Sequence, residues 1–66
     1  MEIERLRQMA NQIARNLAAQ GEAAAAAATA QHITDFWDPR MKAALLADDP
    51  ARLDPIARAA VETLRG

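Results

Sequence analysis

Apolar residues first recur along the chain at Ile3, Leu6, Ala10, Ile13 and Leu17, three and four positions apart. This narrow stripe at heptad spacing predicts an amphipathic helix over about residues 2–20, with Met9 and Ala14 widening its apolar face. Glu2 and Glu4 stand at its N-terminal end, where the helix dipole favours acids. Gly21 is the permissive residue expected just past a helix end. A second helix is predicted over about residues 22–37. Its first half offers only methyl groups and can approach a neighbour closely, and alanine is the strongest helix former. Its second half carries the bulk, with Ile33, Phe36 and Trp37 on one broad face. Adjacent residues on a helix point about 100° apart, so the rings of Phe36 and Trp37 diverge.

The rest of the chain is divided by three Asp-Pro pairs, Asp38-Pro39, Asp49-Pro50 and Asp54-Pro55. The residue before proline is pushed out of the helical region. An aspartate there can cap orphan amides, and proline suits the first helical position. Three restarts follow. A helix over about 39–47 would bury Met41, Ala44 and Leu45. A single turn would follow Asp49-Pro50 and tuck Leu53 inward. A last helix over about 55–65 would turn Ile56, Ala57, Ala60, Val61 and Leu64 to one side. β-branched residues never alternate with polar ones, so strand signals are nearly absent. The expected fold is all-α, a small single-domain bundle of three to four helices with Asp-Pro capped restarts.

Composition changes that picture in one respect. Of the 66 residues 52% are apolar, but 18 of these are alanine, so the core has little bulk to draw on. A partner surface or self-association is therefore expected. There is no cysteine, which excludes a disulfide scaffold, a thiolate zinc site and an iron–sulfur cluster held by this chain. No apolar run reaches the roughly 18 residues of a membrane span. The Met1-Glu2-Ile3-Glu4-Arg5 end has neither the basic region nor the apolar stretch of a signal peptide. The net charge of −1 argues against nucleic acid, whose binders cluster Lys and Arg. The expectation is a soluble, cytoplasmic helical protein that engages neither nucleic acid nor membrane.

Candidate chemistry is sparse. His32 is the only histidine, so it cannot head an ordinary transition-metal site. Four residues before Phe36, it is expected to edge the aromatic cluster or an interface. There is no serine, and Thr29, Thr34 and Thr63 lie inside helices, which leaves no activated nucleophile. The two glycines fit no phosphate-binding pattern. Asp48 and Asp49 read as a turn before proline. We therefore expect no catalytic, cofactor-binding or metal residue. Asn11 and Gln12, on the shoulder of the first stripe, are either plain solvent contacts or amides that bond another element or chain and fix register. Arg40, beside Trp37, is either solvated or an anchor for a partner carboxylate or the indole face. The candidate partner interface comprises Asn11, Gln12, His32, Phe36, Trp37 and Arg40.

Several segments occur in a familiar order: Met9-Ala10-Asn11-Gln12-Ile13-Ala14, His32, Phe36-Trp37-Asp38-Pro39-Arg40-Met41, Leu53-Asp54-Pro55-Ile56 and Arg58-Ala59-Ala60-Val61. Together they resemble the delta subunit of the NAD-dependent, molybdenum-containing formate dehydrogenases. The resemblance covers nearly the whole chain, and the Phe-Trp-Asp-Pro-Arg-Met run is its specific part. It implies a small subunit of a cytoplasmic complex that oxidises formate to carbon dioxide and passes electrons to NAD. A large alpha subunit of that complex carries bis-molybdopterin guanine dinucleotide and iron–sulfur clusters. Beta and gamma subunits carry FMN and further clusters. The delta subunit itself holds no cofactor; it binds the alpha subunit and helps assembly or stability.

Two other readings of the residues remain. The heptad stripe from Ile3 to Leu17 suits a free-standing helical homodimer acting as an adaptor or regulator. A small DNA-binding domain is weaker, because the last helix mixes Arg58 and Arg65 with Glu62.

Overall fold

The first helix ends where its sequence runs out of bulk and meets glycine. The computed structural model describes residues 2–66; Met1, which opens the sequence, lies outside them. Helix α1 spans Ile3–Leu17, with Glu4 in its first turn and Arg15 in its last, both placed to suit the dipole. It tightens into a 3-10 turn over Ala18–Gln20, three residues short of the α-helical extent expected. Gly21 then takes φ +99° and ψ 153°, a conformation that only glycine adopts without strain. Its carbonyl accepts the Ala25 N–H at 2.8 Å, which starts the next helix.

Helix α2 spans Glu22–Phe36. Trp37 follows in extended conformation, with its N–H still bonded to the Ile33 carbonyl. Asp38 is extended too, as a residue before proline must be, and its carboxylate accepts the Met41 N–H at 2.9 Å. That cap opens helix α3, Pro39–Ala47. Asp49 caps the Ala51 N–H and opens a 3-10 turn over Pro50–Arg52 that delivers Leu53 to the core at 4% exposure. Helix α4 spans Pro55–Arg65. The third Asp-Pro restart differs from expectation. Asp54 stands at the N-cap but makes no side-chain cap bond. Its carboxylate reaches instead to Arg15 at 3.1 Å.

Helices α1, α2 and α4 form the body, and α3 packs on α1 and α4. The most extensive interface joins α2 to α4. Their buried residues are small, with Ala25, Ala26, Thr29 and Ala30 on α2 and Ala57, Ala60 and Val61 on α4. Small side chains let helix axes approach toward the lower end of the usual 8–10 Å range. The bulk of the core lies to one side of that seam, in Leu6, Ile33, Trp37, Leu45 and Leu53. On α1 the deepest line is Leu6, Ala10 and Ala14, while Ile3, Ile13 and Leu17 are half-buried. The helix is turned from the heptad seam because it packs on three neighbours within its own chain. On α3, Leu45 is fully buried, and Met41 and Ala44 only partly. Thr29 is wholly buried, and its hydroxyl has no hydrogen-bond partner. Thr34 and Thr63, both exposed, donate to the carbonyls of Ala30 and Ala59.

The adjacent aromatics separate as the helical angle requires. Trp37 lies four residues beyond Ile33 and follows it inward to 5% exposure; Phe36 is 74% exposed. Trp37→Ala should therefore cost the isolated chain about 3–5 kcal/mol, the usual loss for a buried large aromatic. In the isolated wild-type chain the indole emission should already be blue-shifted, and urea melts of the two proteins would give the difference. The caps separate as well. Asp38→Ala should cost about 1 kcal/mol. Asp54→Ala should stay within about 0.5 kcal/mol, since it removes an exposed ion pair rather than a cap. Equal shifts in thermal midpoint for the two variants would contradict this assignment.

Candidate partner-binding surface

The six residues singled out in the sequence do not gather into one patch. Asn11 is half-buried on α1, and its side-chain oxygen accepts the Asp54 N–H at 3.0 Å. It therefore fixes register within the chain by tying α1 to the start of α4. Gln12 is exposed and donates to the Asn16 side chain one turn along at 3.0 Å. Trp37, expected on the candidate interface, is buried in the core instead. His32 and Phe36 are brought together: both are exposed, with ring centroids 4.8 Å apart and planes tilted by 39°. One turn of α2 separates them, and each limits the other's freedom. Arg40 is exposed at the start of α3.

The best-formed polar contact joins residues that the sequence did not single out as partners. Arg7 on α1 grips Asp48, just past α3, with both arms of its guanidinium, Nε to Oδ2 at 2.5 Å and Nη2 to Oδ1 at 2.8 Å. The two side chains are only 15% and 16% exposed. Planar two-point contact of this kind is the strong form of the ion pair. Arg65, at the end of α4, donates to the carbonyls of Leu46 and Asp48 at 2.6 and 3.1 Å. A helix end leaves such carbonyls without partners, and a cation there suits the dipole. Arg58 does similar work for the turn, donating to the carbonyls of Pro50 and Leu53. Sequence offered no signal for the first pair, whose partners are 41 positions apart.

These contacts weaken both rival readings. Arg58 and Arg65 are engaged with backbone carbonyls, so α4 does not offer them as a free basic face. Leu6 and Ala10 of the α1 stripe are buried inside the chain, and only the half-buried Ile3, Ile13 and Leu17 remain to meet a second copy. A shallow apolar recess of about 180 Å³ lies among Ala14, Ala18, Pro55 and Ile56, rimmed by Arg15, Glu22 and Asp54. It is below the ~300 Å³ at which small-molecule sites begin. Among the described residues no three His, Asp or Glu side chains gather as a metal site requires. No helix of the structure is long and apolar enough to cross a membrane.

These features define a small all-α bundle tied together by Arg7, Asn11, Arg15, Arg58 and Arg65, whose one phenylalanine faces outward. The chain belongs to the family of the NADH-dependent formate dehydrogenase delta subunit FdsD, whose family model matches residues 5–61. It is thus a delta subunit of a formate dehydrogenase, as the resemblance of its segments implied. No curated protein and no solved structure matches it.

The Arg7–Asp48 contact has a pH signature. The hydrogen bond from Arg7 holds the Asp48 carboxyl below its ordinary range, against the opposing effect of burial. A carboxyl lowered in the folded state stabilises the fold above its unfolded value of about 4, and that stabilisation is lost as pH falls through the folded value. Asp48→Asn should lower the thermal midpoint at pH 7 and flatten its decline on the acid side of pH ~4. A variant melting as steeply with acid as the wild type would show that other carboxylates set that slope.

Proposed function

We propose that this chain is a non-catalytic subunit that binds the large, formate-oxidising alpha subunit of a cytoplasmic NAD-dependent formate dehydrogenase and helps to assemble or stabilise the complex. The observation that carries this reading is the family match, which starts just before Leu6 and ends at Val61 and so encloses every residue of the buried core. In the complex proposed, the alpha subunit holds bis-molybdopterin guanine dinucleotide and iron–sulfur clusters. The beta and gamma subunits hold FMN and further clusters and reduce NAD. This chain contributes surface rather than chemistry. Two features of the fold support that division. The core is built largely of alanine, so its stability has little margin, and association with a larger chain adds to it by mass action. The exposed Phe36 with His32 beside it is of the aromatic class enriched at protein interfaces.

Co-expression with a tagged alpha subunit tests the reading directly. The chain should co-elute with alpha through size exclusion. Omitting it should lower the yield of assembled, molybdenum-loaded enzyme several-fold. The purified chain alone should hold no stoichiometric molybdenum, iron or flavin and oxidise no formate. A bound cofactor at one per chain, or an enzyme that assembles at full yield without the chain, would refute the proposal.

A further inference from the structure

The solvent side of α2 is unlike that of the other long helices. Exposed positions of α1 carry Glu4, Arg5, Gln8, Gln12 and Arg15, and those of α4 carry Arg58, Glu62 and Arg65. Along α2 the outward positions between Glu22 and Thr34 hold no acid, lysine or arginine. They are chiefly Ala23, Ala24, Ala27, Gln31 and His32, and the row ends in Phe36. Asp35, the remaining outward charge, accepts a hydrogen bond from Gln31 at 2.9 Å. A helix apolar on its inner face and almost free of charge on its outer one is built to be covered on both sides. Phe36 is the largest exposed apolar side chain, and its ring lies against the His32 ring at a centroid distance of 4.8 Å.

The size of this face selects among occupants. Fifteen residues of helix make a ridge about 22 Å long and about 10 Å wide. Its footprint of about 220 Å² is far below the ~800 Å² per partner of a stable interface. Two copies pairing along this ridge alone would bury too little. A larger chain with a groove closes over the flanks of the helix as well, and so covers more surface. The absence of charge along the row calls for an apolar groove, with polar groups only at the rim near His32 and Asp35.

We propose that the outer face of α2 seats in an apolar groove on a larger protein chain of the same enzyme complex, with Phe36 as the anchor and the alanines permitting close approach. The inference rests on the reading of this chain as a subunit. It is tested by titrating the purified full-length chain into formate dehydrogenase prepared without it, following binding by calorimetry. Circular dichroism melts of each variant run alongside. Phe36→Ala should weaken binding by about 30-fold or more, the scale of a hot-spot residue, with an unchanged melt. Ala27→Glu, which sets a charge on the ridge, should weaken it comparably. Glu62→Gln, on the solvent side of α4, should bind within about twofold of wild type, since exposed single charges contribute little. Wild-type affinity in both α2 variants overturns the groove and leaves the subunit reading intact. No binding by the wild-type chain overturns both. A free wild-type chain that sediments as a dimer, and falls to monomer with Ala27→Glu while complex binding persists, assigns the ridge to a second copy and overturns the proposal.

Discussion

The fold turns on the placement of one indole. Trp37 stands where α2 must stop, because Asp38 before Pro39 cannot continue a helix. The backbone at Trp37 opens to the extended region while its N–H keeps the last bond to Ile33. The ring thereby continues the inward line of Ile33 and enters the cluster with Leu6, Leu45, Leu53 and Val61. A chain with 18 alanines has few other ways to fill the space between its helices. The same placement fixes where α3 begins and leaves Phe36 on the outside.

Helix α3 depends on that indole at one end and on charge at the other. Leu45 is its single fully buried residue, so burial alone holds it weakly. Its last turn is met by cations from two other helices, Arg7 of α1 on the Asp48 carboxylate and Arg65 of α4 on the Leu46 and Asp48 carbonyls. This arrangement satisfies groups a helix end cannot satisfy itself. It also joins the two ends of the chain to the same point, and the turn through Leu53 closes under Arg58. Polar side chains thus do in this bundle part of what larger apolar residues do in a richer core.

A family of enzyme subunits gives this economy a reason. A subunit of a complex need not bury all its apolar surface alone. The alanine row of α2 serves both sides: inward it allows close packing on α4, and outward it leaves a smooth, nearly uncharged ridge that ends in Phe36. The six residues selected from sequence divide accordingly. Asn11 and Trp37 belong to the chain's own architecture, Gln12 bonds along its own helix, His32 and Phe36 together face outward, and Arg40 is exposed at the start of α3.

Much of the helical plan was legible because its signals are local. Three-four spacing, glycine past the first helix and three Asp-Pro pairs act over one turn, and they set element type and order without reference to the rest of the chain. Family membership was legible from the ordered segments, above all Phe36-Trp37-Asp38-Pro39-Arg40-Met41. Tertiary structure alone decided three things. It chose which of two adjacent rings to bury, since both lie near the apolar face and only the position of neighbouring helices separates them. It chose which face of α1 lies deepest, because three packing partners pull the helix away from the seam a single partner would use. It paired Arg7 with Asp48 and turned Asp54 from its cap toward Arg15, because charges distant in sequence meet only after the helices have packed.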